Sequence, residues 1–347
     1  MRTISKKRQK RLIRNLLIAM VCIIAVLVGV IGYVYFRNKG NAYDLSYAYR
    51  ISSSLTGSGA SASAADQSGS FADGFAKKLC VSDADVDLGN IQLQSSKERG
   101  LLFDLDSGEA KFARGVYDRL YPASITKIMT AILCVKNGNL DQEVTMTDAD
   151  VNLGSDSQLS GMAAGDTATL RQLFSALLVY SANDCAMAIA RTIGDGSVDK
   201  FVDMMNEEAK SLGMTGTHFM NPHGLPDDNH YTTPYDVYLM LNEAAKYSEI
   251  TDVMKNSIYK LTVTDQTGAS KAFNLDATDK YLSGYHVLPD GVTIMAGKTG
   301  TTDAAGNCLA LAVQNRYGIP YIAIIMNAPN KQILYADMDT LLTQTNA

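Results

Sequence analysis

With 347 residues, of which 46% are hydrophobic and 19% charged, the chain is long enough to bury one large core or two small ones. The formal net charge of -5 hides an asymmetry, because the first 39 residues carry nine Lys/Arg and no acid, which leaves the remainder strongly acidic. A surface of that sign excludes nucleic acid as a partner, since phosphate binding needs a basic patch.

The chain opens on a basic segment, residues 1–15, holding Arg2, Lys6, Lys7, Arg8, Lys10, Arg11 and Arg14. An uncharged run of 21 residues follows from Leu16 to Phe36, and as a helix it would be about 31 Å long, enough to cross a bilayer. The basic flank predicts a cytoplasmic tail and an extracytoplasmic remainder, so the chain is expected to be a single-pass cell-membrane protein. No Ala-x-Ala site follows the run, and the expectation is an uncleaved signal anchor. Residues 37–74 turn rich in Ser, Gly and Ala and predict a flexible linker, after which a globular domain over 75–347 begins.

Within that domain, Leu101–Leu105 and Lys111–Arg114, joined by Asp106-Ser107-Gly108-Glu109, predict a β-hairpin. Ile128–Val135 is apolar on nearly every face and ends at Asn137-Gly138, which predicts a buried helix with Ser124 in its first turns. Thr169 predicts the cap of a helix over 170–179, and further helices are expected over 185–193, 201–212 and 331–343. Between the first two lies Ser181, on a connection where a side chain can reach a cleft. Strands are expected over 259–264, 292–302, 308–314 and 321–327, the last two closing a hairpin at Arg316-Tyr317-Gly318. Segregated strands and helices favour an antiparallel sheet with helices against its faces. The five cysteines show no Cys-x-x-Cys spacing and read as buried thiols.

Ser-x-x-Lys occurs twice. Three positions apart on a helix, a serine and a lysine share one face, so each copy is a nucleophile beside an amine. Ser124 and Lys127 open the buried helix. Ser197 and Lys200 follow Gly194-Asp195-Gly196, where Ser197 reads as a helix cap and Lys200 as a polar first-turn residue.

The first pair is accompanied in chain order by Ser181-x-Asn183 and by Lys298-Thr299-Gly300, and the three motifs together resemble the serine penicillin-binding protein and β-lactamase superfamily. Tyr121-Pro122-Ala123-Ser124-Ile125-Thr126-Lys127, Tyr180–Asp184, Thr217–Leu225 and Gly297–Thr302 narrow the resemblance to the low-molecular-weight D-alanyl-D-alanine carboxypeptidases, over roughly residues 75–330. The resemblance implies a β-lactamase/transpeptidase-like α/β (α+β) fold, with an antiparallel sheet covered by helices on both faces and a largely helical subdomain. It also implies no cofactor and no metal, a peptidoglycan stem peptide ending in D-Ala-D-Ala as substrate, and covalent inhibition by β-lactams.

A lysine is a base only when neutral, and burial and a neighbouring cation both lower its pKa. If Lys298 lies beside Lys127, both act. By the resemblance, Ser124 attacks the carbonyl of the penultimate D-alanine, and the backbone N–H groups of Ser124 and Thr301 hold the oxyanion. Ser181 relays a proton to the leaving D-alanine, Asn183 holds the peptide amide, and Lys298 and Thr299 bind the substrate's terminal carboxylate, with Gly300 and Thr301 completing the substrate-binding strand.

Class A β-lactamases carry a deacylating glutamate some 35 residues beyond their Ser-Asp-Asn; here that region reads Gly216–Met220, without a carboxylate, so slow release of penicillin is expected. The family's usual β-rich domain and C-terminal amphipathic anchor have no visible counterpart, and the N-terminal helix is expected to replace the anchor. Before Lys298, the family's Asn-x-Asn loop is replaced by Asn274-Leu275-Asp276 and a long 280–290 segment, which leaves that cleft rim open. Three alternatives stand beside hydrolysis: transpeptidation or endopeptidase action on the same fold, a non-catalytic penicillin sensor, and a metal site at His218, His223, Asp227, Asp228 and His230. Against the metal, there is no His-Glu-x-x-His, and Pro and Gly interrupt the histidines.

Overall fold

Two apolar runs near the C-terminus set the centre of the protein. In the computed structural model, which describes residues 84–89, 91–154 and 157–347, they form strands β9 (Gly306–Gln314) and β10 (Pro320–Ala328). Successive side chains alternate between two cores. Cys308, Ala310, Ala312, Ile322, Ile324 and Met326 face one, while Leu309, Leu311, Val313, Ala323 and Ile325 face the other. Strands buried on both faces need cover on both sides.

The sheet is completed by β1 (Val86–Asp87), β2 (Arg99–Asp104), β3 (Glu109–Arg114) and β8 (Thr293–Thr302), in the order β1-β3-β2-β10-β9-β8 and antiparallel throughout. One face is covered by helix α8 (Lys331–Gln344), whose Leu334, Met338, Leu341 and Leu342 are buried against it. Truncating one such leucine to alanine costs about 2–5 kcal/mol.

The opposite face packs on the helical part: α1 (Lys127–Asn137), α2 (Asp148–Val151), α3 (Leu170–Val179), α4 (Asn183–Ile193), α5 (Val198–Ser211), α6 (Pro234–Ala244) and α7 (Ser248–Met254). Helix α1 is buried from Lys127 to Cys134, as its uniformly apolar face predicts. Thr169 caps α3 with a reciprocal box to Gln172, fixing the start of that helix.

A second antiparallel sheet, β4 (Glu143–Thr145), β5 (Thr167–Thr169), β6 (Ile258–Thr264) and β7 (Ser270–Asp276), flanks the helical part. Of these strands, only β6 is legible in the sequence: β4 and β5 have three residues each and carry no period, and β7 is exposed along most of its length and shows no apolar alternation. Asn274-Leu275-Asp276 therefore ends a strand and not a loop.

The described cysteines, Cys134, Cys185 and Cys308, are buried free thiols. The expected basic tail (1–15), membrane span (16–36) and linker (37–74) lie outside the described residues; among the described ones, no helix is long and apolar enough to cross a membrane.

Candidate active site

The chain enters the site through a single antiparallel bridge, Leu120 to Thr232, and turns at Pro122. Ala123–Thr126 then form a 3-10 turn ahead of α1, so Ser124 sits on a tighter turn than the expected α-helix. Residues three apart eclipse in a 3-10 turn. Lys127 Nζ consequently comes within 2.8 Å of Ser124 Oγ.

Ala123 is held at φ 47°, in the left-handed region that costs a non-glycine residue energy. Two glycines let other backbone segments press on this turn. At Gly224, whose φ is +89°, a Cβ would lie 1.8 Å from the Ala123 carbonyl oxygen. On β8, a Cβ at Gly300 would lie 2.8 Å from the Pro122 oxygen and 3.0 Å from the Ser124 nitrogen. Only residues without a side chain fit either place.

Lys127 has no solvent exposure, and its amine meets Ser124 Oγ, Asn183 Oδ1 at 2.7 Å and the His223 carbonyl at 2.9 Å. That set suits a neutral amine: its two N–H groups donate to Asn183 and His223, and its lone pair accepts from the serine hydroxyl. Burial is the main force pushing the Lys127 pKa well below the usual lysine range, and the charge of Lys298 pushes the same way. Asp184 opposes both, but it is itself a buried carboxylate whose pKa burial has raised, held by Ser160 and by the Cys185 amide.

Ser181 lies between α3 and α4 at φ 67°, a second strained residue, and its Oγ accepts from Lys298 Nζ at 2.9 Å. Asn183 is the first residue of α4, which begins two residues ahead of the expected start. Lys298, on β8, is 1% exposed and also donates to the Thr299 carbonyl at 3.0 Å. Its pKa is lowered by burial to about 7. Ser124, Lys127 and Asn183 thereby form one hydrogen-bonded group and Ser181 and Lys298 a second, with Gly300 pressed against the turn that carries Ser124.

A cavity of about 550 Å³ opens over both groups. Its lining includes Ser124, Ser181, Asn183, His223 and Gly224, Thr299, Gly300 and Thr301 of the edge strand, and Lys331, Leu334 and Tyr335 of α8. Thr299 Oγ1 pairs with Thr278 Oγ1 at 2.5 Å. Sequence reasoning missed Gln158, Thr278 and the α8 residues, which lie on other elements and carry no local motif. Gln158 lines the cavity, and its backbone carbonyl accepts from the Asn183 amide at 2.8 Å. Asp184 adjoins Asn183 within the quoted Tyr180–Asp184 stretch and could have been singled out there.

The loop histidines are engaged in local bonds. His230 Nδ1 accepts from the Met220 amide at 3.0 Å, which leaves its Nε2–H to donate to Thr126 Oγ1 at 2.8 Å. His218 Nδ1 meets the Asn229 carbonyl, and His223 Nδ1 accepts from the Leu225 amide. Among the described residues, no group of three or more His, Cys, Asp or Glu could hold a metal ion. The second Ser-x-x-Lys behaves as its position predicts: Ser197 Oγ caps α5 through the Lys200 amide, and the Lys200 amine pairs with exposed Asp195.

A family model described as D-alanyl-D-alanine carboxypeptidase matches residues 89–330. The D-alanyl-D-alanine carboxypeptidase DacF of Bacillus subtilis is 30% identical over 256 residues, covering 72% of this chain and 62% of its own length. A D-alanyl-D-alanine carboxypeptidase of a Streptomyces strain is 30% identical over 223 residues, 61% of this chain and 75% of that relative. The crystal structure of a Streptomyces DD-transpeptidase superposes with a TM-score of 0.67 at 27% identity, over 74% of this chain and 99% of that one. The chain thus spans less than two thirds of the length of DacF.

Proposed function

From the premise that this chain belongs to the D-alanyl-D-alanine carboxypeptidase family, we propose that it is a serine-type D-alanyl-D-alanine carboxypeptidase that trims the terminal D-alanine from peptidoglycan stem peptides. The observation that carries this reading is the Lys127 amine, fully buried 2.8 Å from Ser124 Oγ and pushed toward its neutral form by burial and by Lys298.

On this reading, Lys127 takes the Ser124 proton as Oγ attacks the carbonyl carbon of the penultimate D-alanine. The negative oxygen of the tetrahedral intermediate meets the Ser124 and Thr301 amides. As the C–N bond breaks, the proton taken up by Lys127 is relayed by way of Ser181, itself hydrogen-bonded to Lys298, to the departing amine, which leaves Lys127 neutral for the deacylating water. Asn183 aligns the substrate amide, and Thr299 and Gly300 line the path of the terminal residue. Water then attacks the acyl-enzyme, releasing the shortened peptide and restoring Ser124. β-Lactams enter by the same attack and leave slowly, for want of a deacylating carboxylate.

Transpeptidation is the second reading, supported by the structural resemblance to a DD-transpeptidase. It shares the acyl-enzyme and differs only in an amine replacing water. The basic residues 1–15, the uncharged run 16–36 and the Ser/Gly/Ala-rich 37–74 support a membrane-anchored arrangement in which a domain over 75–347 works on the wall side of the cell membrane.

The test uses the full-length chain in detergent with a peptide ending in D-Ala-D-Ala, following D-alanine release with and without an added amine acceptor. Free D-alanine with no transfer product supports the carboxypeptidase; a dominant transfer product supports the transpeptidase. Neither product, with fluorescent penicillin still bound at Ser124, would leave the non-catalytic penicillin sensor; no product and no label would remove Ser124 as the nucleophile.

A further inference from the structure

Thr278 lies two residues past the end of β7 and touches two walls of the site at once. Its backbone N–H donates at 3.2 Å to the carbonyl of Val179, the last residue of α3 and two positions before Ser181. Its side chain meets the edge strand, where Thr278 Oγ1 lies 2.5 Å from Thr299 Oγ1. Both threonines line the cavity that holds Ser124.

The backbone around Thr278 is held on each side. Before it, the Ala277 amide donates to the Ser257 carbonyl at 2.8 Å. After it, buried Asp279 accepts from the Tyr281 amide at 2.9 Å and from the Tyr335 hydroxyl of α8 at 3.3 Å. The Thr278 Cβ is thus fixed before any substrate arrives, and a β-branched side chain has few rotamers to choose from.

Two touching hydroxyls are limited in what they can give a ligand. Each has one proton to donate and lone pairs that accept, whereas the free carboxylate of a terminal D-alanine only accepts. One proton lies between the two oxygens, so the pair has a single O–H left for the carboxylate. Among the described residues, neither hydroxyl meets a further partner. Thr299 adjoins Gly300, whose backbone presses on the Ser124 turn, and is the one of the two that a substrate seated on Ser124 reaches. The productive order is therefore Thr278 O–H to Thr299 Oγ1, with the Thr299 proton directed into the cavity. A hydroxyl that accepts one hydrogen bond donates a stronger one.

Resting on the function proposed above, we infer that Thr278 is a positioning residue: its hydroxyl donates to Thr299 Oγ1, which turns the Thr299 proton toward the substrate's terminal carboxylate and strengthens that bond.

The test compares two thioester donors with the same D-alanyl acyl group, one whose leaving group bears a carboxylate and one whose leaving group is an uncharged alkyl thiol. Thr278→Val keeps the shape of the side chain and removes the hydroxyl. It is expected to raise KM for the carboxylate donor by about three- to ten-fold, the scale of one hydrogen bond, with kcat and the melting temperature little changed. The alkyl donor is unaffected, and Thr278→Ser restores the wild-type KM. Because Thr278 acts through Thr299, adding Thr278→Val to Thr299→Val raises KM no further. If the valine variant does not fold, Thr278→Ala carries the same expectations. Equal losses on both donors, no loss on either, or additive losses in the double variant would overturn the inference and leave the proposed function standing. A wild type inactive on both donors would instead remove the function and this inference with it.

Discussion

Gly300 passes so close to Ser124 that a Cβ on the glycine would lie 3.0 Å from the serine nitrogen. The edge strand and the nucleophile's turn are therefore in backbone contact, and the space between them has no room for a side chain. Gly300→Ala is expected to push the strand off the turn and slow acylation by about a hundred-fold, the scale of an ångström of misplacement. Because β8 keeps its pairing with β9, the melting temperature is expected to move little. Penicillin acylation rates and thermal melts on the same sample check both halves.

Gly224 presents a harsher case. A Cβ there meets the Ala123 oxygen at 1.8 Å and the residue also needs φ +89°, so Gly224→Ala is expected to lose stability as well as acylation. Circular dichroism melts should separate it from Gly300→Ala.

The two Ser-x-x-Lys copies make a matched control. Ser124→Ala and Lys127→Ala are expected to abolish fluorescent penicillin labelling, while Ser197→Ala and Lys200→Ala leave it intact. Ser197→Ala does remove a helix cap and should cost about 1 kcal/mol of stability. Labelling lost in the second pair, or retained in the first, would misplace the nucleophile.

The acylation pH profile should report on Lys127. Lys298 lowers the Lys127 pKa while protonated, and its own pKa is about 7. Lys298→Met removes that repulsion, so Lys127 holds its proton to higher pH and the acidic limb of the profile moves upward. Burial is the larger cause and persists, which limits the shift. An unmoved limb would place the titrating base elsewhere.

Outside the motif residues, Glu98 is fully buried and its pKa is raised from 4.5 to about 8, first by burial and then by Asp337 on α8. The folded state therefore binds this proton more tightly than the unfolded chain. Stability from the protonated form is complete below about 4.5 and is lost as pH rises toward 8. Glu98→Gln is expected to flatten that decline and to gain roughly 2 kcal/mol at pH 8 relative to the parent. Denaturant unfolding at pH 5 and pH 8 measures it.

Much of the site was legible because the residues carrying it lie in short, local motifs. Ser124 and Lys127 are three apart, Ser181 and Asn183 two apart, and Lys298 to Gly300 contiguous, so composition and spacing alone could mark them. Burial of α1 was equally visible in its unbroken apolar run. Gln158, Thr278 and Lys331 left no such mark, because each reaches the cavity from an element chosen for other reasons: a loop, a strand exit and the first turn of a helix whose pattern speaks only of packing. The strands β4 and β5 escaped for the same cause, being too short to show a period.

The sequence alone determined the chemistry available, a serine beside an amine with a second lysine on a later strand, and it distinguished the working pair from Ser197 and Lys200 by their surroundings. Only the tertiary structure decided which forces act on that chemistry. Burial, more than the neighbouring charge, drives Lys127 toward neutrality, and it withdraws Lys298 from the cavity surface. Desolvation depends on everything packed around a group, and that is a property of the assembled fold and not of any stretch of chain.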